Sequence, residues 1–278
     1  MPGTLYVVAT PIGNLGDLSR RAAEVLARVD LVVAEDTRRT GKLLAHLGVE
    51  GRARLSLPAF DEADRLKGVL ERLAKGEEVA LCTDAGTPAV SDPGQKLVAA
   101  AWEAGATVVP VPGPCAAIAA LMACGLPCDR FLFLGFLPRA GAKREEALAQ
   151  LARLELTAVI YEAGNRTGQT LRDLAAALGD RRAAVARELT KLHEEIARGS
   201  LAELAARFGE GARGEVTLVV EGAREGVPRP EIDEPLEEEL ARRLSQGEGP
   251  SAIAREVARR RGLRRSSVYA SLERLRKG

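Results

Sequence analysis

Leu5-Tyr6-Val7-Val8-Ala9-Thr10-Pro11-Ile12-Gly13-Asn14-Leu15-Gly16-Asp17 takes the chain from an apolar, strand-like run into a turn rich in Pro, Gly and Asn. Strand-like and helix-like runs then alternate, the pattern of a largely parallel sheet flanked by helices. The turn lacks G-x-G-x-x-G, which disfavours a Rossmann dinucleotide site. Taken alone, a turn of Gly and Pro needs no ligand to explain it.

Working outward, strands are expected at Leu5–Ala9, Leu31–Ala34, Ala53–Leu57, Val79–Cys82 and Thr107–Val111. Helices at Asp17–Arg28, Arg38–Leu47, Glu62–Lys75 and Gln95–Ala104 carry apolar residues at three- and four-residue spacing. Pro110-Val111-Pro112-Gly113-Pro114 then places three prolines in a short span that suits neither a helix interior nor a central strand, so a domain junction is expected there. A second unit follows, with strands near Phe131–Gly135, Thr157–Tyr161, Ala183–Ala186 and Val216–Glu221. Its helices lie near Lys143–Arg153, Thr167–Leu178 and Leu201–Phe208. The fold class is therefore α/β: an N-terminal domain over 1–112, a second over 113–224, a Pro-, Gly- and charge-rich linker over 225–235, and a helical appendage over 236–278.

That appendage reads as three short helices, Leu236–Gln246, Ser251–Arg261 and Ser266–Arg276, with Ser251 and Ser266 as N-caps. The outline is that of a helix-turn-helix, although a helical tail packed on the body or on a partner subunit fits the same pattern. Net charge is only +1, which excludes a uniformly basic nucleic-acid binder and leaves room for a local patch. The tail supplies one: Arg255, Arg259, Arg260, Arg261, Arg264, Arg265, Arg274, Arg276 and Lys277 against Glu256 and Glu273. Arg259, Arg260, Arg264 and Arg265 are the candidate nucleic-acid contacts in it.

With 46% hydrophobic residues and 3% aromatics, the interior must be mostly Ala, Val and Leu, and aromatic stacking is not expected to dominate binding. Cys82, Cys115, Cys124 and Cys128 lack metal-site spacing and read as buried free thiols. No apolar run approaches the ~20 residues of a membrane span, so a cytoplasmic protein with no membrane contact is expected.

Four loops follow strand ends, where open α/β sheets keep their ligand crevices. Beyond the first turn, Ala34-Glu35-Asp36-Thr37-Arg38-Arg39-Thr40 sets carboxylates, hydroxyls and guanidinium groups at a helix start. Asp36 or Thr37 suits a helix cap, while Arg38 suits a phosphate and a carboxylate suits a hydroxyl. Cys82-Thr83-Asp84-Ala85-Gly86-Thr87-Pro88-Ala89-Val90-Ser91-Asp92-Pro93-Gly94 is longer than a connection needs, and its small residues let a ligand approach the backbone. Pro112-Gly113-Pro114-Cys115-Ala116-Ala117 is either a rigid hinge or a slot for a flat ligand. In the second domain, Arg187-Glu188-Leu189-Thr190-Lys191 ends a strand, where a surface ion pair is the plainer explanation.

Together these loops resemble the tetrapyrrole methylase superfamily, and within it the branch that methylates a cytidine 2′-hydroxyl of small-subunit ribosomal RNA. The resemblance also rests on Phe133-Leu134-Gly135-Phe136-Leu137-Pro138 and spans positions 4 to 221 in order and spacing. It implies two α/β domains with S-adenosylmethionine held at their junction, a homodimer, and 16S rRNA, within the small ribosomal subunit, as substrate. Carried over by position, the donor-binding candidates are Pro11, Asp84, Thr87, Cys115, Ala116, Tyr161, Glu188, Leu189 and Thr217. Cys115 stands where the branch has serine, and Glu162-Ala163-Gly164-Asn165-Arg166 replaces its Ser-Pro-His-Arg run, which removes a histidine from that site. His46 and His193 lie elsewhere, so the base is expected to be Asp36 or Lys191, with Arg38 holding an RNA phosphate. Methyl transfer from a sulfonium needs no metal. Two rivals remain: a methylase of the same fold acting on a tetrapyrrole or a modified protein residue, and a helix-turn-helix DNA-binding regulator with an α/β sensor body.

Overall fold

The computed structural model describes residues 2–49, 51–57, 62–223, 236–261 and 265–277. The described chain divides into two compact units, Met1–Ala123 with Arg187–Glu195, and Cys124–Ala186 with Ile196–Gly278. The division falls after the proline run rather than at it. A helix too uniformly apolar to show periodicity, Ala116–Cys124, follows those prolines and is shared between the units.

In the first unit β1 (Thr4–Val8), β2 (Leu31–Ala34), β3 (Ala53–Ser56), β4 (Glu78–Cys82) and β5 (Thr107–Val111) form a sheet in the order β3-β2-β4-β1-β5. All four neighbour pairs are parallel. The strands alternate strictly between two apolar faces. Leu5, Leu31, Val33, Val79 and Leu81 pack on α3 (Glu62–Ala74) and α4 (Gln95–Glu103) through Val69, Leu73, Leu97 and Ala101. Val8, Val32, Ala80 and Cys82 pack on α1 (Arg20–Arg28) and α2 (Thr37–His46) through Ala22, Val25, Leu26, Leu43 and Leu44. Apolarity on both faces is what a parallel sheet between helix layers requires.

Helix α1 starts at Arg20 rather than Asp17, because the Ser19 hydroxyl accepts from the Ala22 amide at 3.1 Å and sets the cap; a 3-10 turn at Leu15–Asp17 precedes it. After β5 comes α5 (Ala116–Cys124), absent from the sequence-based expectation.

The second unit holds β6 (Phe131–Phe136), β7 (Thr157–Ala163), β8 (Arg182–Arg187), β9 (Glu195–Ser200) and β10 (Glu215–Val220), in the order β6-β7-β10-β8-β9. Here β6 runs parallel to β7 and β10 antiparallel to it, so this sheet is mixed. Its core closes on α6 (Ala142–Arg153), α7 (Thr167–Leu178) and α8 (Leu201–Arg207) through Leu151, Leu171, Leu174, Leu201 and Leu204. A capping box of Ser200 and Glu203 starts α8 immediately after β9.

The appendage comprises α9 (Leu236–Ser245), α10 (Pro250–Arg261) and α11 (Arg265–Lys277) around a small core of Leu240, Ile253, Ala254, Val257, Val268 and Leu272. Arg243 bridges this core to Glu248 and Glu256. Neither serine is a cap. Ser251 lies inside α10, whose start is capped by the Gly249 carbonyl accepting from Ile253 at 3.0 Å with Pro250 leading, and Ser266 lies inside α11. Helix α10 also rests on α6, so these helices touch the body as well as one another. The expected linker, 225–235, falls outside the described residues.

Candidate active site

The strand order of the first sheet contains a switch point between β1 and β4. From β1 the chain crosses to β2 by α1 on one face, and from the adjacent β4 it crosses to β5 by α4 on the other. Adjacent strands whose connections diverge leave a gap beyond their carboxyl ends, the place where open α/β sheets bind ligands.

Three loops meet at that edge. The loops after β1 and β4 are zipped together: the Thr10 amide donates to Gly86 O at 2.8 Å and the Gly86 amide returns to Thr10 O at 3.1 Å. The Thr10 hydroxyl adds a bond to Thr83 O at 3.1 Å. Gly86 has φ 87°, the left-handed region that favours glycine. The third loop joins through the Thr87 hydroxyl, which donates to Pro114 O at 3.0 Å. Cys115 and Ala116 follow directly, and the Cys115 carbonyl caps α5 by accepting from Ala119 at 2.9 Å. Gly113 lies so close to β1 that a side chain there would come within 3.1 Å of the Ala9 methyl.

The loop after β2 is tied in by Asp84. One of its oxygens accepts the Asp36 amide at 3.0 Å, and the other faces Arg39 at 3.4 Å. Asp36 caps α2 by accepting from the Arg38 amide at 2.8 Å, while the Arg38 guanidinium folds back to grip the same carboxylate at 2.7 Å. The Arg38 hydrogen bond holds the Asp36 carboxyl at about 2, well below its usual 3.8. So firmly ionised a group is a weak proton acceptor, while Arg38 grips it through Nε and Nη2 and stays largely exposed, so its Nη1 can still face a phosphate. The helix-cap reading of Asp36 is what the geometry displays.

The segment Arg187–Glu195 belongs to this first unit although it connects two strands of the second sheet. An Arg187–Glu195 ion pair closes its base. Within it Lys191 Nζ lies 3.0 Å from Glu188 Oε1, Leu189 is buried, and Glu188 and Thr190 both have positive φ, 50° and 67°. It rests on the loop after β1. A Cβ built on Gly13 would fall 2.4 Å from Lys191 Cγ, 2.9 Å from Thr190 Oγ1 and 3.1 Å from Leu189 O.

Thus Pro11, Asp36, Arg38, Asp84, Thr87, Cys115, Ala116, Glu188, Leu189 and Lys191 all lie on these loops of the first unit. Gly13 and Thr190 lie within the quoted loops, but the sequence reading did not single them out. Gly13 lacks a positive φ, so no turn rule singles it out; only its neighbours from far along the chain show why a side chain is excluded there.

Tyr161 and Thr217 belong to the second unit, as cross-strand partners on β7 and β10, with the Tyr161 ring edge-on to Phe133 at 4.9 Å. Glu162, in the run that departs from the branch pattern, is buried in a closed network. It accepts from the Thr170 hydroxyl at 2.6 Å and the Ala163 amide at 2.9 Å, and Thr170 in turn accepts from Arg144 at 3.0 Å. Glu162 therefore builds structure at that point. His46 and His193 are exposed, and of the four cysteines expected to be buried only Cys82 and Cys124 are, Cys115 being half-buried and Cys128 exposed. In the appendage Arg265 is exposed, Arg264 lies outside the described residues, and the side chains of Arg259 and Arg260 lie outside them too.

Known proteins place the chain in a family and a fold. The family described as Tetrapyrrole (Corrin/Porphyrin) Methylases matches residues 4–205. A protein of Synechocystis sp. named Ribosomal RNA small subunit methyltransferase I is 46% identical over 270 residues, 96% of each chain. One of the same name from Xylella fastidiosa is 50% identical over 226 residues, 80% of this chain and 82% of its own. Among solved structures, the cobalt precorrin-4 methyltransferase CbiF superposes with a TM-score of 0.60 at 19% identity, covering 78% of this chain and 94% of its own. The methyltransferase CobJ gives 0.60 at 20% identity, covering 80% and 95%.

Proposed function

The chain belongs to the tetrapyrrole (corrin/porphyrin) methylase family, and we propose that it transfers a methyl group from S-adenosylmethionine to a cytidine 2′-hydroxyl of 16S ribosomal RNA. Methylation of small-subunit rRNA is the activity named in relatives that match it along nearly its whole length. The observation that carries the catalytic reading is the cross-tied edge of the first sheet, where the Thr10–Gly86 bridge, the Thr87–Pro114 bond and the Asp84 ties fix several loops around one crevice.

These residues fit the donor. Small residues at Ala85 and Ala116 leave room for close approach to the backbone beside the Thr10–Gly86 bridge, and Asp84 and Glu188 supply carboxylates suited to ribose hydroxyls or an amine. Pro11, Thr87, Cys115 and Leu189 complete the first unit's share, and substitution of Tyr161 and Thr217 checks the roles that the resemblance gives them. When bound, the donor supplies an electrophilic methyl on a sulfonium, which leaves as a neutral thioether.

The protein's task is then to align a weak nucleophile and take its proton. Alignment is worth roughly 7 to 11 kcal/mol, and a positioned base about 10²- to 10⁴-fold, so fixed loops matter more than base strength. Between the two base candidates the geometry favours Lys191. Asp36 is committed to capping α2 and pairing Arg38, whereas the Lys191 ammonium sits among strained residues at the crevice edge. The Glu188 carboxylate at 3.0 Å favours the charged form, so the amine accepts the 2′-hydroxyl proton only once that pair opens and the ammonium has given up its own proton.

A homodimer acting in the cytoplasm on the small ribosomal subunit completes the proposal, and no helix among the described residues is long and apolar enough to cross a membrane. The test is incubation of the purified chain with small ribosomal subunits and labelled S-adenosylmethionine, followed by mass spectrometry of the nucleosides. Labelled 2′-O-methylcytidine is expected. Label on the base, on a ribosomal protein, or only on an added tetrapyrrole would overturn the assignment, and donor-dependent binding to duplex DNA without transfer would favour the regulator.

A further inference from the structure

We propose that Gly13 and Thr190 are positioning residues that act through Lys191, an inference that rests on the methyltransferase reading above. The first observation is steric. The stem of Lys191 lies across the face of Gly13, so that even a methyl group on Gly13 would collide at 2.4 Å with Lys191 Cγ and at 2.9 Å with Thr190 Oγ1. The space that glycine leaves is filled by the lysine itself, and this limits the paths by which the ammonium can reach Glu188 at 3.0 Å.

The second observation is strain. Thr190 is β-branched yet has φ 67°, a conformation that costs free energy and persists where the surroundings enforce it. Its hydroxyl is buried and makes no hydrogen bond, a second unfavourable feature of the same residue. Its amide is held by Glu194 Oε2 at 2.6 Å, and the Lys191 amide by Glu188 O at 3.0 Å, so the turn is pinned on both sides of the strained residue. The left-handed step at Thr190 lets the Leu189 carbonyl, the Thr190 hydroxyl and the Lys191 stem all meet Gly13. Ordinary loop closure requires none of this, since the Arg187–Glu195 pair already joins the ends.

The test is a double-mutant cycle on the full-length protein, with turnover, affinity for S-adenosylhomocysteine by calorimetry, and melting temperature as readouts. Gly13→Ala is expected to lower kcat by about 10²-fold while leaving that affinity within about twofold. Lys191→Ala keeps measurable residual turnover, because alignment survives loss of a base. Adding Gly13→Ala to Lys191→Ala is then expected to change kcat by less than about twofold. If the two effects multiply instead, Gly13 acts independently of Lys191 and the proposal is overturned. Should Gly13→Ala not fold, Thr190→Gly carries the test, because it releases the strain without crowding the lysine: its loss of kcat must likewise vanish in the Lys191→Ala background. An inactive wild-type protein would instead defeat the methyltransferase reading, an outcome distinct from an active protein with additive losses.

Discussion

Two polar clusters in this chain are built on opposite principles. In the second unit, Glu162, Thr170, Arg144 and Asp173 form a buried network in which Arg144 alone reaches Asp173 at 2.8 Å, Pro138 O at 2.9 Å and Thr170 at 3.0 Å. Among the described residues, every non-glycine residue with positive φ lies in the first unit instead, Ala89 and Ser91 after β4 and Glu188 and Thr190 in the loop over Gly13. A network of satisfied groups rigidifies a core, whereas strain and an orphaned hydroxyl persist where geometry matters more than stability. The comparison separates residues that keep the chain folded from those that the proposed reaction would use.

The sharpest break of that contrast is a pair of substitutions read by both turnover and stability. Lys191→Ala is expected to lower kcat by about 10²- to 10⁴-fold, the range for a lost general base, with the melting temperature little changed. Arg144→Ala should do the reverse. Removing it strips Asp173 of its ion-pair partner and Thr170 and Pro138 O of a donor in a largely buried setting, a change that typically costs about 3–5 kcal/mol, while turnover per folded molecule stays close to wild type. Chemical denaturation and active-site titration check both, and an Arg144→Ala protein that is stable but inactive would dissolve the distinction.

Next in size is the pH dependence, which separates the base candidates. The Lys191 ammonium must lose a proton before its amine can act as the base, so kcat is expected to climb about tenfold per pH unit on the alkaline side of neutrality. Asp36, held at about 2, is ionised throughout the working range, and a rate flat from pH 5 upward would restore it as the base. Asp36 has its own signature in stability. Its folded pKa lies below the ordinary 3.8, so its contribution is fully present above that value and is lost as the pH falls towards about 2. Asp36→Asn should therefore flatten that acid limb of the stability curve.

The alternating apolar runs made the first sheet readable almost residue by residue, because β2 and β4 are apolar on both faces and each is followed by an amphipathic helix. Strand β9 escaped because it is an edge strand, Glu-Ile-Ala-Arg-Gly-Ser, with only Ala197 buried. Helix α5 escaped because Ala-Ala-Ile-Ala-Ala-Leu-Met-Ala-Cys has no polar face to reveal a period. For the site, the loops themselves stood out as turn chemistry at strand ends. What stayed hidden was tertiary: the seating of Arg187–Glu195 on the first unit, and hence the reason for Gly13, depend on residues far apart in sequence. The helix-cap role of Asp36 and its grip by Arg38 are local, and the sequence allowed both without choosing between cap and base.

The smallest effect belongs to the appendage, where the same contrast predicts neither a large loss of stability nor a loss of chemistry. Its fold depends on Leu240, Ile253, Val257 and Leu272 and on the Arg243 bridges, whereas Arg255 and Arg265 project from the outside of α10 and α11. If that surface grips RNA, its arginines act through phosphate charge. Arg255→Ala and Arg265→Ala should each weaken binding to small-subunit rRNA modestly and uniformly across sequences, and lower the slope of log K against log salt by about 0.9. Affinity for S-adenosylhomocysteine and the melting temperature should not move, since neither residue belongs to the small core or to the loops of the first sheet. Unchanged salt slopes for both variants would mean that these helices serve only to cover the body through α6, and RNA would then have to be recognised by the α/β units alone.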